Sequence, residues 1–415
     1  MFSPVLLFSL CAIAVTVNAA VIRDSPITLP VVKRLHLTGE STIVDIERNR
    51  LLALRGGSLR RRDPGTANAV ATNQAVSYVT TVSQRVSTVG IGSPPTDYTL
   101  IVDTGSSNTF VGAEKPYVLT STSRKTEETV SVSYGSGQFS GPQYFDTVTL
   151  GELTIPQQGI ADAQLAQGFG PGIDGILGIG PTDLTEGTLS PNALGVIPTV
   201  TDNAYFEGLI SQDAVGVSFQ PTTSESDTNG ELTFGGADSS KYTGELSFVP
   251  ITTTYPSNQY VGIDQSITYG SSGISILSPT SGIVDTGSTL LYLATDALER
   301  YLDAVAGSDE VDPVTGLYTI SSENFANLES LFFHIGDVTY EFTANAQIWP
   351  RSLNSNIGGN ADTIYLVVAD NMENTGSGLD FINGLVWLER FYLVYDSGDV
   401  QVGFATTPYT NATSN

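Results

Sequence analysis

The chain has 415 residues, 40 % of them hydrophobic and 14 % charged, with 43 acidic against 17 basic side chains and a formal net charge of −26 at pH 7. That length allows two substantial cores, and the apolar content excludes a disordered chain. The acidic balance excludes a partner that must be attracted by positive charge, whether nucleic acid or an anionic membrane.

Residues Val5 to Val17 are almost wholly apolar and run into Val17-Asn18-Ala19, small enough for cleavage. Residues 1–19 therefore read as a signal peptide and the product as secreted and extracellular. The run is too short to span a bilayer, and no later stretch is long enough. Residues 20–62 carry nine Lys/Arg and four acids, and composition changes abruptly at Arg60-Arg61-Arg62. This segment reads as a basic pro-segment ending in a processing site. Downstream remain 8 basic and 39 acidic residues, a formal charge of −31. Lys33 and Arg34 follow the mostly apolar run Ile27–Val32. That run is expected to lie along an acidic cleft as a substrate would, with Lys33 and Arg34 as its contacts.

The lone cysteine, Cys11, falls inside the signal, so the processed protein has no disulfide, no thiol nucleophile and no zinc–thiolate site. Only His36 and His334 are present, too few for a histidine metal site, and His334 in Leu331–Ile335 reads as a structural residue of a strand. No metal or other cofactor is expected.

The body reads as all-β. Tyr98–Val102 is a β-rich run ending at a turn, and Ser131–Tyr134 leads into Gly135-Ser136-Gly137. Phe145–Leu150 alternates. Asn229-Gly230 before Leu232–Phe234 signals a hairpin turn, as does Asp396-Ser397-Gly398 between Tyr392–Tyr395 and Val400–Phe404. Helices are expected over Thr295–Leu302, with Thr295 as the cap, and over Ser322–Leu328.

An internal repeat organises the whole. Val102-Asp103-Thr104-Gly105-Ser106-Ser107 recurs 182 residues later as Val284-Asp285-Thr286-Gly287-Ser288-Thr289, each after an apolar strand. A weaker echo relates Gly175-Ile176-Leu177-Gly178 to Phe381-Ile382-Asn383-Gly384. Repeat units of solenoids are far shorter, so this spacing predicts two similar β-lobes with one Asp-Thr-Gly loop apiece. A single Asp-Thr-Gly is an ordinary turn; two copies half a body apart are a constellation. Hydrolysis without metal, Cys or His needs a base for water and an acid for the carbonyl oxygen. Two adjacent carboxylates supply both, because like charges in contact push their pKa values apart and share a proton. Asp103 and Asp285 are the candidate catalytic pair. Gly105 and Gly287 allow the tight loops. Thr104 and Thr286 are placed to hydrogen-bond across the lobes, and Ser106 and Ser288 to donate to the carboxylates.

From about Ser77 to Thr407 the chain resembles the pepsin family of aspartic endopeptidases, and within it the secreted proteases of basidiomycete fungi. The residues that carry the resemblance are Val102–Asn108, Tyr134–Gly137, Asp174–Gly178, Val284–Thr289 and Phe381–Phe404. It implies an all-β, bilobal fold of two β-barrel-like lobes with the cleft between them. Residues 63–250 would form the first lobe, with Asp103 and a flap, and 251–415 the second, with Asp285. It implies a monomeric acid endopeptidase that acts on proteins and peptides, prefers large hydrophobic residues around the scissile bond and binds pepstatin-type inhibitors. Tyr134 matches the flap tyrosine on a mobile hairpin with Gly135 and Ser136. Ile101, Ile173 and Ile176 match positions near the pocket before the scissile bond, and Thr289 a substrate contact. Several positions depart from the pattern. Phe110 stands where relatives carry a tryptophan that bonds the flap tyrosine, Ser288 where threonine is common, Asn383 in an apolar position, and Leu385 where an acid is frequent. The family's disulfides are missing. A non-catalytic relative would have lost an Asp, a motif Gly or the flap Tyr, and all are present. A glycosidase also uses two carboxylates but predicts neither the repeat nor the flap, and Trp349 and Trp387 offer few platforms for sugars. Asn411-Ala412-Thr413 is the one N-glycosylation sequon.

Overall fold

Short runs of β-branched and aromatic residues, separated by glycine turns, build a mostly β molecule. The computed structural model describes residues 25–35, 42–55, 76–79, 89–134, 137–308 and 310–415. The expected signal peptide, Arg60-Arg61-Arg62 and the turn residues Gly135 and Ser136 lie outside these. No helix of the described residues is long and apolar enough to cross a membrane.

The repeat is a structural symmetry. Strand Leu100–Asp103 pairs in parallel with Gly175–Gly178, which in turn pairs antiparallel with Thr109–Val111. In the other half, Ile274–Val284 pairs in parallel with Phe381–Asn383, which pairs antiparallel with Leu291–Leu293. Each motif is thus a loop between two strands that flank one echo strand. The echo keeps its final glycine because the loop passes over it. A Cβ on Gly178 would stand 2.6 Å from the Ser107 backbone, and one on Gly384 would stand 2.6 Å from the Ser288 carbonyl oxygen. The first half lies in a 17-stranded sheet that also takes in the closing hairpin, Phe391–Asp396 and Gln401–Thr406; the second lies in a seven-stranded sheet.

The leading strand, Ile27–Leu35, does not lie along the cleft. It is a full member of the large sheet, antiparallel to both Ser226–Phe234 and Val76–Val79. Its period-two pattern decides this: Ile27, Leu29 and Val31 bury one face in the core, a better use of alternation than an open groove. Lys33 is buried against Glu389, Nζ to Oε1 2.5 Å, and Arg34 sits opposite Ser226 and Ser77. Neither touches the aspartates. A leading helix, Ile43–Arg55, follows; Thr42 Oγ1 caps it by accepting from Asp45 N at 2.9 Å. Its inner face carries Ile43, Glu47, Arg50, Leu51 and Leu54, all buried.

Three local expectations change. Asn229-Gly230 is not a turn but lies inside strand Ser226–Phe234, because Gly230 is paired on both sides, to Phe219 and Val31. The run Tyr98–Val102 breaks at Thr99, whose N–H is taken by Asp174 Oδ2 at 2.8 Å. Thr295 is the first residue of helix Thr295–Ala304 rather than its cap, since its hydroxyl donates to Asp370 Oδ1 at 2.7 Å. The Asp396–Gly398 turn forms as expected between strands in register Asp396 to Gln401. His334 bridges Thr268 and Thr339 on its strand, a structural role.

At one end of the large sheet three carboxyls meet. Asp202, in helix Val200–Phe206, is held by Thr199 N and Oγ1 at 2.7 and 2.8 Å and also accepts from Thr182. Asp213 is 8 % exposed, and burial, then the neighbouring Asp202 and Asp396, push its carboxyl up to about 7. A carboxyl whose folded value exceeds its unfolded one stabilises the fold in acid and loses that contribution as pH rises from about 4 to about 7. Asp213→Asn is therefore expected to gain about 1–3 kcal/mol of stability over the parent at pH 7 and almost nothing at pH 4. Urea unfolding at both pH values, in an Asp103→Asn background that cannot digest itself, checks this; equal gains at both would refute it.

Candidate active site

The two Asp-Thr-Gly loops meet at the junction of the two halves. Asp103 and Asp285 are fully buried. Ser106 Oγ donates to Asp103 Oδ2 and Ser288 Oγ to Asp285 Oδ2, both at 2.6 Å. Gly105 N and Gly287 N donate to the Oδ1 atoms of their own aspartates, both at 3.0 Å. The threonines serve the opposite loop: Thr104 N donates to Thr286 Oγ1 at 2.9 Å, and Thr286 N to Thr104 Oγ1 at 3.0 Å. Their hydroxyls donate onward, Thr104 to Val284 O at 3.3 Å and Thr286 to Val102 O at 3.0 Å. The serine and threonine bonds read from the sequence are all present.

The element that the sequence reading missed is Arg50. Its Nη2 donates to Asp103 Oδ1 at 2.6 Å and to Asp285 Oδ1 at 2.7 Å, and its Nε to Asp285 Oδ2 at 2.8 Å. One guanidinium thus bridges both carboxylates, the planar fork meeting Asp285 through two nitrogens. Burial alone would raise the Asp285 carboxyl, but the charge and hydrogen bonds of Arg50, with Ser288 and Gly287, hold it below its usual range. Gly105 and Gly287 make the room: a Cβ on either would stand 2.5 or 2.0 Å from Arg50 Nη2. One turn earlier, the buried carboxyl of Glu47 accepts from Thr289 N at 2.8 Å and from Tyr292 Oη at 3.0 Å, and also from Thr289 Oγ1. Burial pushes Glu47 up to about 7, against the pull of those bonds and of Arg50.

Tyr134 follows strand Arg124–Ser133, and its N–H donates to Gly137 O at 2.6 Å, closing the hairpin. Burial, then the charge of Asp103, push its phenol up. Phe110 stacks on Tyr134 with ring centroids 6.4 Å apart and on Phe139 at 3.9 Å. Where a tryptophan would donate a hydrogen bond, this chain offers an aromatic stack. Ile101, Ile173 and Ile176 are buried in the cluster on which Tyr134 packs. A small solvent-open crevice lies between Tyr134 and the leading helix, lined by Arg50, Leu54, Ser106 and Tyr260 among others; the three isoleucines are not in its lining. Asn383, out of pattern in the sequence, is buried and exchanges amide hydrogen bonds with Gln265 at 3.0 and 3.3 Å. Leu385 is buried, and its N–H donates to Ser288 O at 2.8 Å, bracing the second loop.

Comparison with known proteins agrees with this geometry. Residues 84–407 match the family model described as eukaryotic aspartyl protease. The chain is 58 % identical to polyporopepsin of Irpex lacteus over 345 residues, 83 % of this chain and 98 % of that protein. It is 30 % identical to pepsin A of Suncus murinus over 335 residues, 77 % of this chain and 79 % of that one. The crystal structure of the aspartic proteinase from Irpex lacteus superposes with a TM-score of 0.79 at 51 % identity, covering 94 % of this chain and all of that one. With the family model spanning most of the chain and two symmetric Asp-Thr-Gly loops at its centre, the protein belongs to the pepsin-like aspartic proteases and is an aspartic endopeptidase of that family.

Proposed function

We propose that Asp103 and Asp285 perform the hydrolysis, that the protein is a secreted acid protease, and that the described chain is its latent form. The observation that carries this reading is the convergence of both buried carboxylates on a single guanidinium nitrogen. Carboxylates close enough to share Arg50 are close enough, once it leaves, to hold one proton between them. The ionised partner then takes a proton from water while the water oxygen bonds to the scissile carbonyl carbon. The protonated partner gives its proton to the carbonyl oxygen. The tetrahedral intermediate collapses: one of its hydroxyls returns a proton to the second carboxylate as the carbonyl re-forms, the C–N bond breaks, and the leaving nitrogen takes the proton held by the first carboxylate, which restores the pair. Thr104, Gly105, Ser106, Thr286, Gly287 and Ser288 fix the two carboxylates, so little reorganisation is needed at the reaction step.

Tyr134, with Gly135 and Ser136, closes over bound peptide, and Thr289 binds it beside Asp285. The apolar cluster of Ile101, Ile173 and Ile176 beneath Tyr134 favours large hydrophobic residues at the scissile bond. Residues 1–19 direct export, and cleavage after Arg60-Arg61-Arg62 severs the segment that carries Arg50. The processed protein works as a monomer of two lobes, 63–250 and 251–415. Incubation of the secreted protein with denatured haemoglobin is expected to give cleavage with a maximum at about pH 2.5–5, where the pair holds one proton, and pepstatin is expected to abolish it. A maximum at neutral pH, or cleavage indifferent to pepstatin, would overturn the reading.

A further inference from the structure

The contacts of Glu47 describe the cleft as well as the helix that fills it. Three donors converge on its carboxyl: the Thr289 N–H, at 3.0 and 2.8 Å from the two oxygens; the Thr289 hydroxyl; and the Tyr292 phenol, at 3.0 Å. Thr289 and Tyr292 are 1 % and 0 % exposed and Glu47 is 2 % exposed. Tyr292 sits at the centre of strand Leu291–Leu293, paired on one side to Phe381–Asn383 and on the other to Val368–Asp370, so its phenol is presented from a rigid element. Glu47 precedes Arg50 by three residues, about 4.5 Å along the helix axis, which sets this cradle beside the two aspartates. The helix backbone stays in the cleft while the carboxyl reaches the donors at the end of a two-methylene side chain. Whatever replaces the helix there must also reach them with a side chain.

Resting on the proposed cleavage at Asp103 and Asp285, we infer that Thr289 and Tyr292 form a subsite of the processed enzyme that takes a substrate glutamine or glutamate side chain. Tyr292 is its specificity-determining residue. The cradle turns one N–H and two hydroxyl donors on the Glu47 carboxyl. A leucine or a lysine there would offer no acceptor in place of the Glu47 carboxyl, and the Tyr292 hydroxyl would lose the bond it makes now. A carboxamide or a protonated carboxyl presents a carbonyl oxygen and satisfies them in acid, as the Glu47 carboxyl does now. The enzyme therefore reads two features of a peptide: apolar residues at the scissile bond, and a side-chain acceptor at one nearby position.

The test uses processed protein and peptides that vary one residue at a time, up to four places on either side of the scissile bond, among Gln, Glu, Leu and Lys. At one place Gln is expected to exceed Leu by about tenfold or more in kcat/KM. Tyr292→Phe, which removes one oxygen, should cut that ratio severalfold at that place. No position with Gln above Leu, or a ratio that Tyr292→Phe leaves untouched, overturns the inference. The same ratio read as dissociation constants on processed Asp103→Asn protein needs no turnover. It therefore tests the subsite separately from the proposed catalytic roles.

Discussion

Asp103→Asn and Asp285→Asn are each expected to lower kcat/KM of the processed protein by about 10²–10⁴-fold or more at acid pH, with the fold intact. An amide neither accepts a proton from water nor donates one as a carboxylic acid, so each substitution removes one half of the acid–base exchange. The fold survives because the asparagine oxygen still accepts from Gly105 N or Gly287 N, while its amide nitrogen donates to the Ser106 or Ser288 hydroxyl, which turns to accept. The triple arginine is cut with an added protease in parent and variants alike before peptide hydrolysis and thermal unfolding are measured. A tenth of the parental rate in either variant would remove that aspartate from the mechanism.

Arg50→Ala in the full-length chain is expected to raise peptide hydrolysis by about 100-fold or more over the unaltered full-length chain, measured while gels show the chain uncut. Removing one member of a buried charge cluster costs about 3–5 kcal/mol. Here that cost falls on the docked helix, because two buried carboxylates lose their shared cation. Arg50→Lys keeps the charge but loses the two-nitrogen grip on Asp285, so its rate should lie between the two. An unaltered full-length chain already as active as Arg50→Ala would show that the guanidinium does not restrain the enzyme. The pH dependence of release follows from the two carboxyl shifts. Asp285 is held low when docked, so its contribution to docking is present above its ordinary value and is lost as pH falls through the lowered one. Glu47 goes the other way: raised from 4.5 to about 7 when docked, it favours docking more as pH falls. Release in acid is thus driven at the aspartates and opposed at Glu47.

The symmetric centre was legible because a short motif written twice, each time after an apolar strand, has few meanings. Both loops, their cross-lobe threonines and both serine bonds followed from it. The contact of Arg50 with both aspartates was not legible in the same way. Nine basic residues crowd 20–62, and the pair beside an apolar run, Lys33-Arg34, drew attention away from Arg50. The signal that points to it is helical spacing: Ile43, Glu47, Arg50, Leu51 and Leu54 share one face, and a Glu and an Arg on the buried side of an amphipathic helix must have buried partners. Asn229-Gly230 misled because a strand from residues 27–35, distant in sequence, pairs with it and overrides its turn preference. The Gln265–Asn383 pair was beyond reach for the same reason: either polar residue alone reads as a defect, and only the fold sets them 3.0 Å apart.

The exchange of threonines across the centre has a further consequence. Each loop finds partners for its threonine N–H and hydroxyl only in the other half. Half of the chain standing alone would lose those partners and open the groups to water. A free half could recover the same exchange by meeting a second copy of itself about a twofold axis, so that one loop plays both parts. The centre of this single chain is therefore an isologous interface in its geometry, with the axis passing between Asp103 and Asp285. What a homodimer obtains by association is here fixed covalently. The two sides are thereby free to differ, as they do at Ser107 and Thr289, and at Leu177 and Asn383.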